Sequence, residues 1–157
     1  MKKLLLLLLV VFTLNSSGHS QSAAKAIYAE IGGPGLASLN YDMRFKKEEG
    51  GLGFRVGVGG YNIDGESLFT LPVGINYLLG KDQKNYFEVG VGFTYLNYKD
   101  NFFTNGDNFT SSFGNLTLGY RLAPAKGGFF FKAQITPVFG KGFFTPLYGG
   151  VGFGYKF

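Results

Sequence analysis

The sequence predicts an all-β chain that forms an antiparallel up-and-down transmembrane β-barrel of eight strands. Three observations support this prediction: a short apolar N-terminal segment, long stretches in which apolar and polar residues alternate, and a last strand that ends on an aromatic residue. The composition agrees, because the 157 residues include 26 Gly, 18 Phe and 10 Tyr while only 16% are charged. So few charges are unusual for a surface that faces water and suit an outer face that meets lipid.

The N-terminal segment, residues 1–20, is predicted to be a signal peptide. Lys2 and Lys3 precede an unbroken apolar run over residues 4–12. A membrane-spanning helix needs roughly 20 apolar residues, so this run is too short to be one. A buried N-terminal helix is the competing interpretation.

The cleavage site is expected before Gln21, because Gly18 and Ser20 supply the small residues that signal peptidase prefers. A cut a few residues later, within 22–24, is the alternative. The barrel domain then covers residues 21–157. Because the chain contains no Cys, a lipid anchor on a cysteine is excluded, and so is a disulfide.

Alternation with a period of two residues marks the strands, because successive side chains of a strand point to opposite faces. The predicted strands are 27–31, 36–45, 52–59, 69–77, 87–95, 115–121, 129–137 and 147–157. The break at 32–35 is either a tight turn between two strands or a glycine kink in one strand, which would leave seven. Bacterial single-chain barrels have even strand numbers, which favours eight.

The loops support the same architecture. With the N-terminus in the periplasm, the turns predicted on that side are short, and the longest loop, 99–108, falls outside. Aromatic residues gather near both predicted ends of the strands, as in the girdles at membrane interfaces. A soluble apolar core would explain the alternation but not this clustering.

The size of the barrel decides which face points out. More than thirty apolar residues share one face, whereas the interior of an eight-stranded barrel holds on the order of a dozen side chains. The opposite face carries glycines and eight charged residues, namely Glu30, Asp42, Arg44, Arg55, Glu88, Arg121, Lys132 and Lys156. Five basic groups turned towards lipid would cost on the order of 10–20 kcal/mol, at roughly 2–4 kcal/mol each.

These eight residues are therefore predicted to form a structural ion network inside the barrel, since buried charges are normally paired. We expect Arg55 to pair with Glu88. Lys156 is expected to point towards Glu30 or another interior carboxylate.

The C-terminal strand places Phe153, Tyr155 and Phe157 on the lipid face with a spacing of two. This ending resembles the recognition strand that the outer-membrane barrel assembly machinery reads, and an edge strand with regular side chains is a suitable handle for strand addition. We expect these three residues to be the C-terminal assembly signal.

Several stretches resemble the small outer membrane β-barrel proteins of Gram-negative bacteria. They are residues 30–33, 39–45, 71–78, 119–121 and 154–157, and the resemblance covers about residues 26–157. It implies an outer-membrane barrel from a group largely without assigned activity, and it carries no catalytic residues to transfer.

Catalysis is not predicted. The only His, His19, lies in the predicted signal peptide, so the mature chain would lack both His and Cys. This excludes Ser-His and Cys-His nucleophile systems and the usual zinc ligand sets. The acidic residues of the outer loops do not have the spacing of a calcium loop. We predict no enzyme activity, no cofactor and no metal site.

The expected partners are outer-membrane lipid and the barrel assembly machinery, and the protein is expected to be a monomer. Nucleic acid is not expected, because the basic residues are scattered and cleavage would lower the net charge from +5 to +3, with 13 basic and 10 acidic residues. Phe102 and Phe103 in the longest loop are either a surface for recognition or an anchor in the outer leaflet.

The predicted function is that of an integral outer-membrane protein with a plugged polar interior, in a structural or surface-recognition role. One alternative is a lipid-binding or lipid-modifying barrel with a lateral opening at Pro72, Pro137 or Pro146, where ladder hydrogen bonds are lost. Another is a soluble secreted β-barrel that binds a small apolar ligand. A channel is disfavoured, because eight strands leave no open lumen.

Overall fold

The computed structural model describes residues 23–63, 66–100 and 108–157. Almost all of them lie in strands, as the alternation of apolar and polar residues predicts. The strands are β1 (Lys25–Gly32), β2 (Ala37–Arg44), β3 (Gly51–Ile63), β4 (Glu66–Leu79), β5 (Asn85–Asp100), β6 (Asn108–Leu122), β7 (Gly128–Ile135), β8 (Val138–Gly140), β9 (Phe143–Thr145) and β10 (Gly149–Lys156). Within these residues, no helix has the length and apolar character to cross a membrane.

The sheet closes on itself. Neighbouring strands pair in antiparallel fashion, β5 pairs with β6, and β10 returns to pair with β1. The closing seam runs in one register from Ala26 opposite Lys156 to Gly32 opposite Gly150. The predicted fold class, a closed antiparallel barrel of eight strands, is thereby confirmed.

Two segments, β7 and β8, make up the seventh barrel strand. Both pair with β6 in the same register, with Leu118 opposite Ile135 and Asn115 opposite Val138. The interruption falls at Pro137, which has no N–H group to donate to the ladder.

The eighth barrel strand consists of β9 and β10, with a bulge between them. Val138 lies opposite Thr145, whereas the N–H of Thr136 donates to the carbonyl of Tyr148. These two contacts differ by one residue in register, so the eighth strand carries one extra residue near Pro146. Such an insertion is a β-bulge and bends the strand locally.

The break between β1 and β2 is a turn, so the seven-strand alternative is wrong. Gly33–Gly35 form a single 3-10 turn. Gly32 and Gly33 have φ values of 74° and 65°, a region that side chains disfavour and glycine tolerates.

This turn folds into the barrel instead of extending above its rim. The hydroxyl of Thr94 donates to the carbonyl oxygen of Pro34 at 3.0 Å, and that of Thr70 to the carbonyl oxygen of Gly35 at 2.8 Å. The reason is strand length: β1 and β2 have 8 residues each, whereas β3 to β6 have 13 to 16. The short hairpin ends below the rim, so its buried carbonyls need partners from the neighbouring walls.

The two faces of the wall have opposite character. Among the described residues, 33 large hydrophobic side chains are exposed, and the buried hydrophobic ones number seven. On β2, for example, Leu39 is 56% exposed and its neighbour Asn40 only 2%. The apolar face therefore points outward and the polar face inward, as expected from the size of the barrel.

Candidate functional site

Asp42 on β2 is the centre of a cluster of buried charges inside the barrel. Arg121 approaches it with two nitrogens, each 2.9 Å from a different carboxylate oxygen. Arg44 donates to Oδ1 at 2.6 Å, and the amide of Asn76 donates to Oδ2 at 2.6 Å. The four side chains come from β2, β4 and β6, so the cluster joins walls that are not adjacent in the barrel.

Glu88 on β5 is the second acidic group of the cluster. Nε of Arg121 donates to it at 2.8 Å and Nζ of Lys132 at 3.1 Å. The amide of Asn76 donates to it at 3.2 Å. Arg121 and Asn76 therefore each bridge Asp42 and Glu88: the guanidinium compensates both carboxylates, and the amide donates a hydrogen bond to each.

Glu30 on β1 is the third acidic group. Its Oε2 lies 3.3 Å from Nη1 of Arg55 and 3.9 Å from Nζ of Lys132. Arg55 also donates to the hydroxyl of Tyr28 at 3.5 Å. The sequence interpretation paired Arg55 with Glu88, but the structure gives it Glu30 instead. The choice depends on the stagger between strands, which alternation alone does not define.

Two aromatic side chains complete the packing of these charges. Tyr28 and Phe130 stack with their ring centroids 4.7 Å apart. The guanidinium of Arg121 lies 5.2 Å from the centre of the Phe130 ring, and Nζ of Lys132 lies 5.5 Å from that of Tyr28. Such contacts stabilise cations that are removed from water. Alternation indicates that both rings face inward, but not that they stack.

Lys156 lies apart from this cluster. Its ammonium group bonds to Glu49 and to the carbonyl oxygens of Pro124 and Ala125, at 2.8 and 2.9 Å for the two carbonyls. Lys156 thus pairs with a carboxylate other than Glu30, the second of the two expected partners, but this carboxylate comes from a turn and not from a strand. Glu49 lies in the turn between β2 and β3, which folds back under the barrel, and nothing in the sequence pattern indicates this. Burial raises the pKa of Glu49, while the hydrogen bond from Lys156 opposes the shift.

The interior around the cluster is filled. The free space next to Asp42, Arg44, Arg121 and Phe130 has a volume of about 10 Å³, which is close to the minimum for one water molecule. Three carboxylates and four basic groups neutralise each other except for one positive charge. The charged side chains of the described interior thus form a plug of ion pairs.

The C-terminal strand closes the barrel and presents its aromatic residues outward. Phe153, Tyr155 and Phe157 are about half exposed. The backbone of Phe157 exchanges two hydrogen bonds with Lys25, at 2.9 and 3.2 Å. The aromatic side chains therefore remain available on the outer surface after the strand is paired. Their role as an assembly signal stays a prediction.

Two predicted features lie outside the described residues. They are the signal peptide of residues 1–20 and the pair Phe102 and Phe103 in the longest loop. Both stay predictions.

The described acidic residues do not form a recognisable reaction centre. Glu30, Asp42 and Glu88 are at most 2% exposed and face basic side chains. In the described part of the chain, no group of three or more His, Cys, Asp and Glu is placed to hold a metal ion.

No family model matches the sequence, and no curated protein matches it. The N-terminal β-barrel domain of Pseudomonas aeruginosa OprF has a similar structure, with a TM-score of 0.65 and 14% identity over 87% of this chain and 98% of that one. Ail, the attachment invasion locus protein of Yersinia pestis, gives a TM-score of 0.47 and 12% identity over 87% and 97%. Its complex with the heparin analogue sucrose octasulfate gives 0.43 and 15% over 87% and 99%. The similarity to the OprF barrel shows the fold of this chain.

Proposed function

We propose that this chain is an integral outer-membrane β-barrel protein of a Gram-negative bacterium, with a plugged polar interior and a structural or surface-recognition role. The observation that carries the proposal is the inverted polarity of the wall: apolar side chains cover the outside and an ion network fills the inside. Soluble monomers rarely expose a contiguous apolar patch larger than a few hundred Å². Here the exposed apolar residues recur on every long strand.

The height of the apolar belt supports insertion in a membrane. On β4 the outward residues from Phe69 to Leu79 are all large and apolar, and all are 40 to 50% exposed. At about 3.3 Å per residue and a tilt of roughly 40°, these positions span about 25 Å along the barrel axis, which matches the apolar band of outer-membrane barrels. The belt is thus tall enough to cross the hydrocarbon layer.

A non-enzymatic role fits the state of the interior charges. Each of the three buried carboxylates is compensated by a basic neighbour, which is what a structural network requires. A catalytic acid or base would need access to a substrate. Recognition is then expected from the outer loops, which a rigid barrel holds in place.

Insertion by the barrel assembly machinery is part of this proposal. Phe153 and Tyr155 of β10, and Phe157 directly after it, point outward beside the seam with β1. The last strand is therefore the edge on which the barrel closes. An exposed edge strand with regular side chains suits recognition by strand addition. We further expect a signal peptide at residues 1–20 and a monomer in the membrane.

Cell fractionation with a gel assay tests the proposal. The full-length protein is expressed in a Gram-negative host, and the outer-membrane fraction is run on a gel with and without boiling. A folded barrel resists detergent until it is heated, so the expected result is an outer-membrane band whose mobility changes on boiling. A soluble periplasmic protein would contradict the proposal and favour the secreted β-barrel instead.

A further inference from the structure

The barrel wall has a gap on the side of the long loops. Beyond Gly59, β3 pairs with β4 but no longer with β2. Among the described residues, β9 pairs only with β8. Within the described residues, 60–63 of β3 and 143–145 of β9 therefore have no strand partner on the sides that face the short β1–β2 hairpin. We call this gap the notch; its β3 side rises about 13 Å, at about 3.3 Å per residue.

A groove of about 570 Å³ lies at the β3 side of the notch. Its lining includes the outward residues Ala37, Leu39 and Val58 and also Leu68, which faces inward and is only 8% exposed. The groove thus runs along the unpaired edge of β3 and reaches Leu68 on the neighbouring strand β4. Ala37 and Gly60 keep the groove open because they carry little or no side chain.

The side chains of the groove and of the notch border are mostly apolar. No charged residue lines the groove in the described part of the chain. The three most exposed apolar side chains among the described residues are Leu147, Ile31 and Phe144, at 85, 71 and 66%. Leu147 and Phe144 belong to the β9 side, and Ile31 to the hairpin below. Their exposure indicates that an apolar medium or ligand covers this border.

The height of the groove selects its occupant. Gly60 lies directly opposite Phe69, the residue that begins the apolar belt on β4. The outer opening of the groove is therefore at the level of the belt, near its outer end. In the membrane this level is occupied by the acyl chains of the outer leaflet, so acyl chains are the apolar groups that meet the opening.

We propose that the acyl chain of an outer-leaflet lipid enters the notch through this groove and lies against Leu68 inside the rim. The inference rests on the proposed function, because only a membrane-inserted barrel presents the groove to lipid. A peptide strand added to the free edges is the competing occupant. It would satisfy the edges of β3 and β9, but it would not require the apolar path from Val58 along the edge of β3 to Leu68.

The absence of Trp from the sequence provides a direct test. Leu68→Trp introduces a single fluorophore at the inner end of the groove, and the protein is refolded into phosphatidylcholine vesicles whose acyl chains are brominated near the headgroup. We expect strong quenching, comparable with that of the outward control Leu71→Trp. If Leu68→Trp does not give a heat-modifiable band, Tyr61→Trp serves as the second reporter in the same groove.

A blocking variant tests the path. Ala37→Phe narrows the outer opening, so adding it to the reporter is expected to remove most of the quenching. Ala133→Phe is the matched control, because Ala133 is also a small outward residue in a groove. That groove lies mainly on β6, β7 and β10 and shares no lining residue with the groove beside β3. This control is expected to leave the quenching of the reporter unchanged.

Each outcome has a definite meaning. Quenching of the reporter that Ala37→Phe abolishes and Ala133→Phe preserves supports the acyl site. A reporter that stays bright while Leu71→Trp is quenched overturns the acyl site but leaves the membrane barrel intact. The same result is expected if a peptide or a second chain covers the notch. If Ala37→Phe does not reduce the quenching of the reporter, the acyl site is also overturned. If Leu71→Trp is not quenched, the proposed function itself fails.

Discussion

Arg121 on β6 and Asp42 on β2 form a two-point ion pair across the barrel, with both N···O distances at 2.9 Å. The strands β2 and β6 lie on opposite sides of the ring, separated by three strands on the side of β3 to β5. The pair thus ties opposite walls together. Glu88 accepts a third hydrogen bond from the same guanidinium, so one side chain holds three strands.

Removal of this guanidinium is expected to destabilise the barrel strongly. Arg121→Met leaves Asp42 and Glu88 each short of a cationic partner, and breaking a buried pair in this way costs about 3–5 kcal/mol. The free energy of unfolding in urea is measured for the protein in vesicles, and the gel shift reports the folded fraction. Lys81→Met in an exposed turn is the control and should change the value by no more than about 0.5 kcal/mol. Equal stability of the two variants would show that the ion pair does not support the fold.

The inward turn between β1 and β2 leads to a second prediction. Thr94→Val removes the hydroxyl that bonds to the carbonyl of Pro34 and leaves that buried oxygen unpaired. We expect a loss of about 1–3 kcal/mol in the free energy of unfolding. Thr145→Val, at an exposed position of β9, should be close to neutral. If Thr94→Val has the same free energy of unfolding as the wild type, the turn does not depend on this hydrogen bond.

The orientation of the interior side chains can be predicted from the sequence, whereas their pairing cannot. The inward orientation of Asp42 and Arg121 follows from two arguments. Neighbouring side chains of a strand must face opposite ways, and the interior of an eight-stranded barrel is too small for the apolar face. The ion-pair partners of these residues do not follow from alternation, because they depend on the stagger between strands and on how the connections fold. Arg55 reaches Glu30 and Lys156 reaches Glu49, and neither pairing has a sequence signal. A plugged polar interior is expected from the narrow barrel, but its individual ion pairs are not.

The turn between β4 and β5 is expected to weaken in acid. The side-chain amide of Asn85 and the backbone N–H groups of Asn85 and Lys84 donate to Asp82 and lower the pKa of its carboxyl group. A lowered pKa in the folded state gives stability that is present above the unfolded value, about 3.9, and lost as the pH falls through the folded value. The stability difference between wild type and Asp82→Ala should therefore shrink in that acidic range.

The control for this pH dependence is Asp82→Asn. Neither this variant nor Asp82→Ala carries a carboxyl group at position 82. The difference in the free energy of unfolding between the two variants should therefore not change with pH. A difference between wild type and Asp82→Ala that stays constant down to strong acid would contradict the role of the three hydrogen bonds.

The last residue is expected to matter for assembly more than for stability. Phe157→Ala keeps the backbone hydrogen bonds with Lys25 but removes the outward ring. We expect less protein inserted in the outer membrane of cells, and nearly unchanged unfolding after refolding of the purified protein. Phe129→Ala is matched in exposure, at 57% against 54%, and should insert normally. Equal insertion of the two variants would argue against an assembly signal at the C-terminus.

The central claim is that the apolar outer face meets lipid, and Val91→Arg tests it most directly. Val91 lies midway along the outward residues of β5 and is 54% exposed. In a membrane, an arginine at this level should lower the free energy of unfolding in vesicles by about 2–4 kcal/mol. On a water-exposed wall, the same substitution would change the value by less than about 0.5 kcal/mol, and that result would contradict the account.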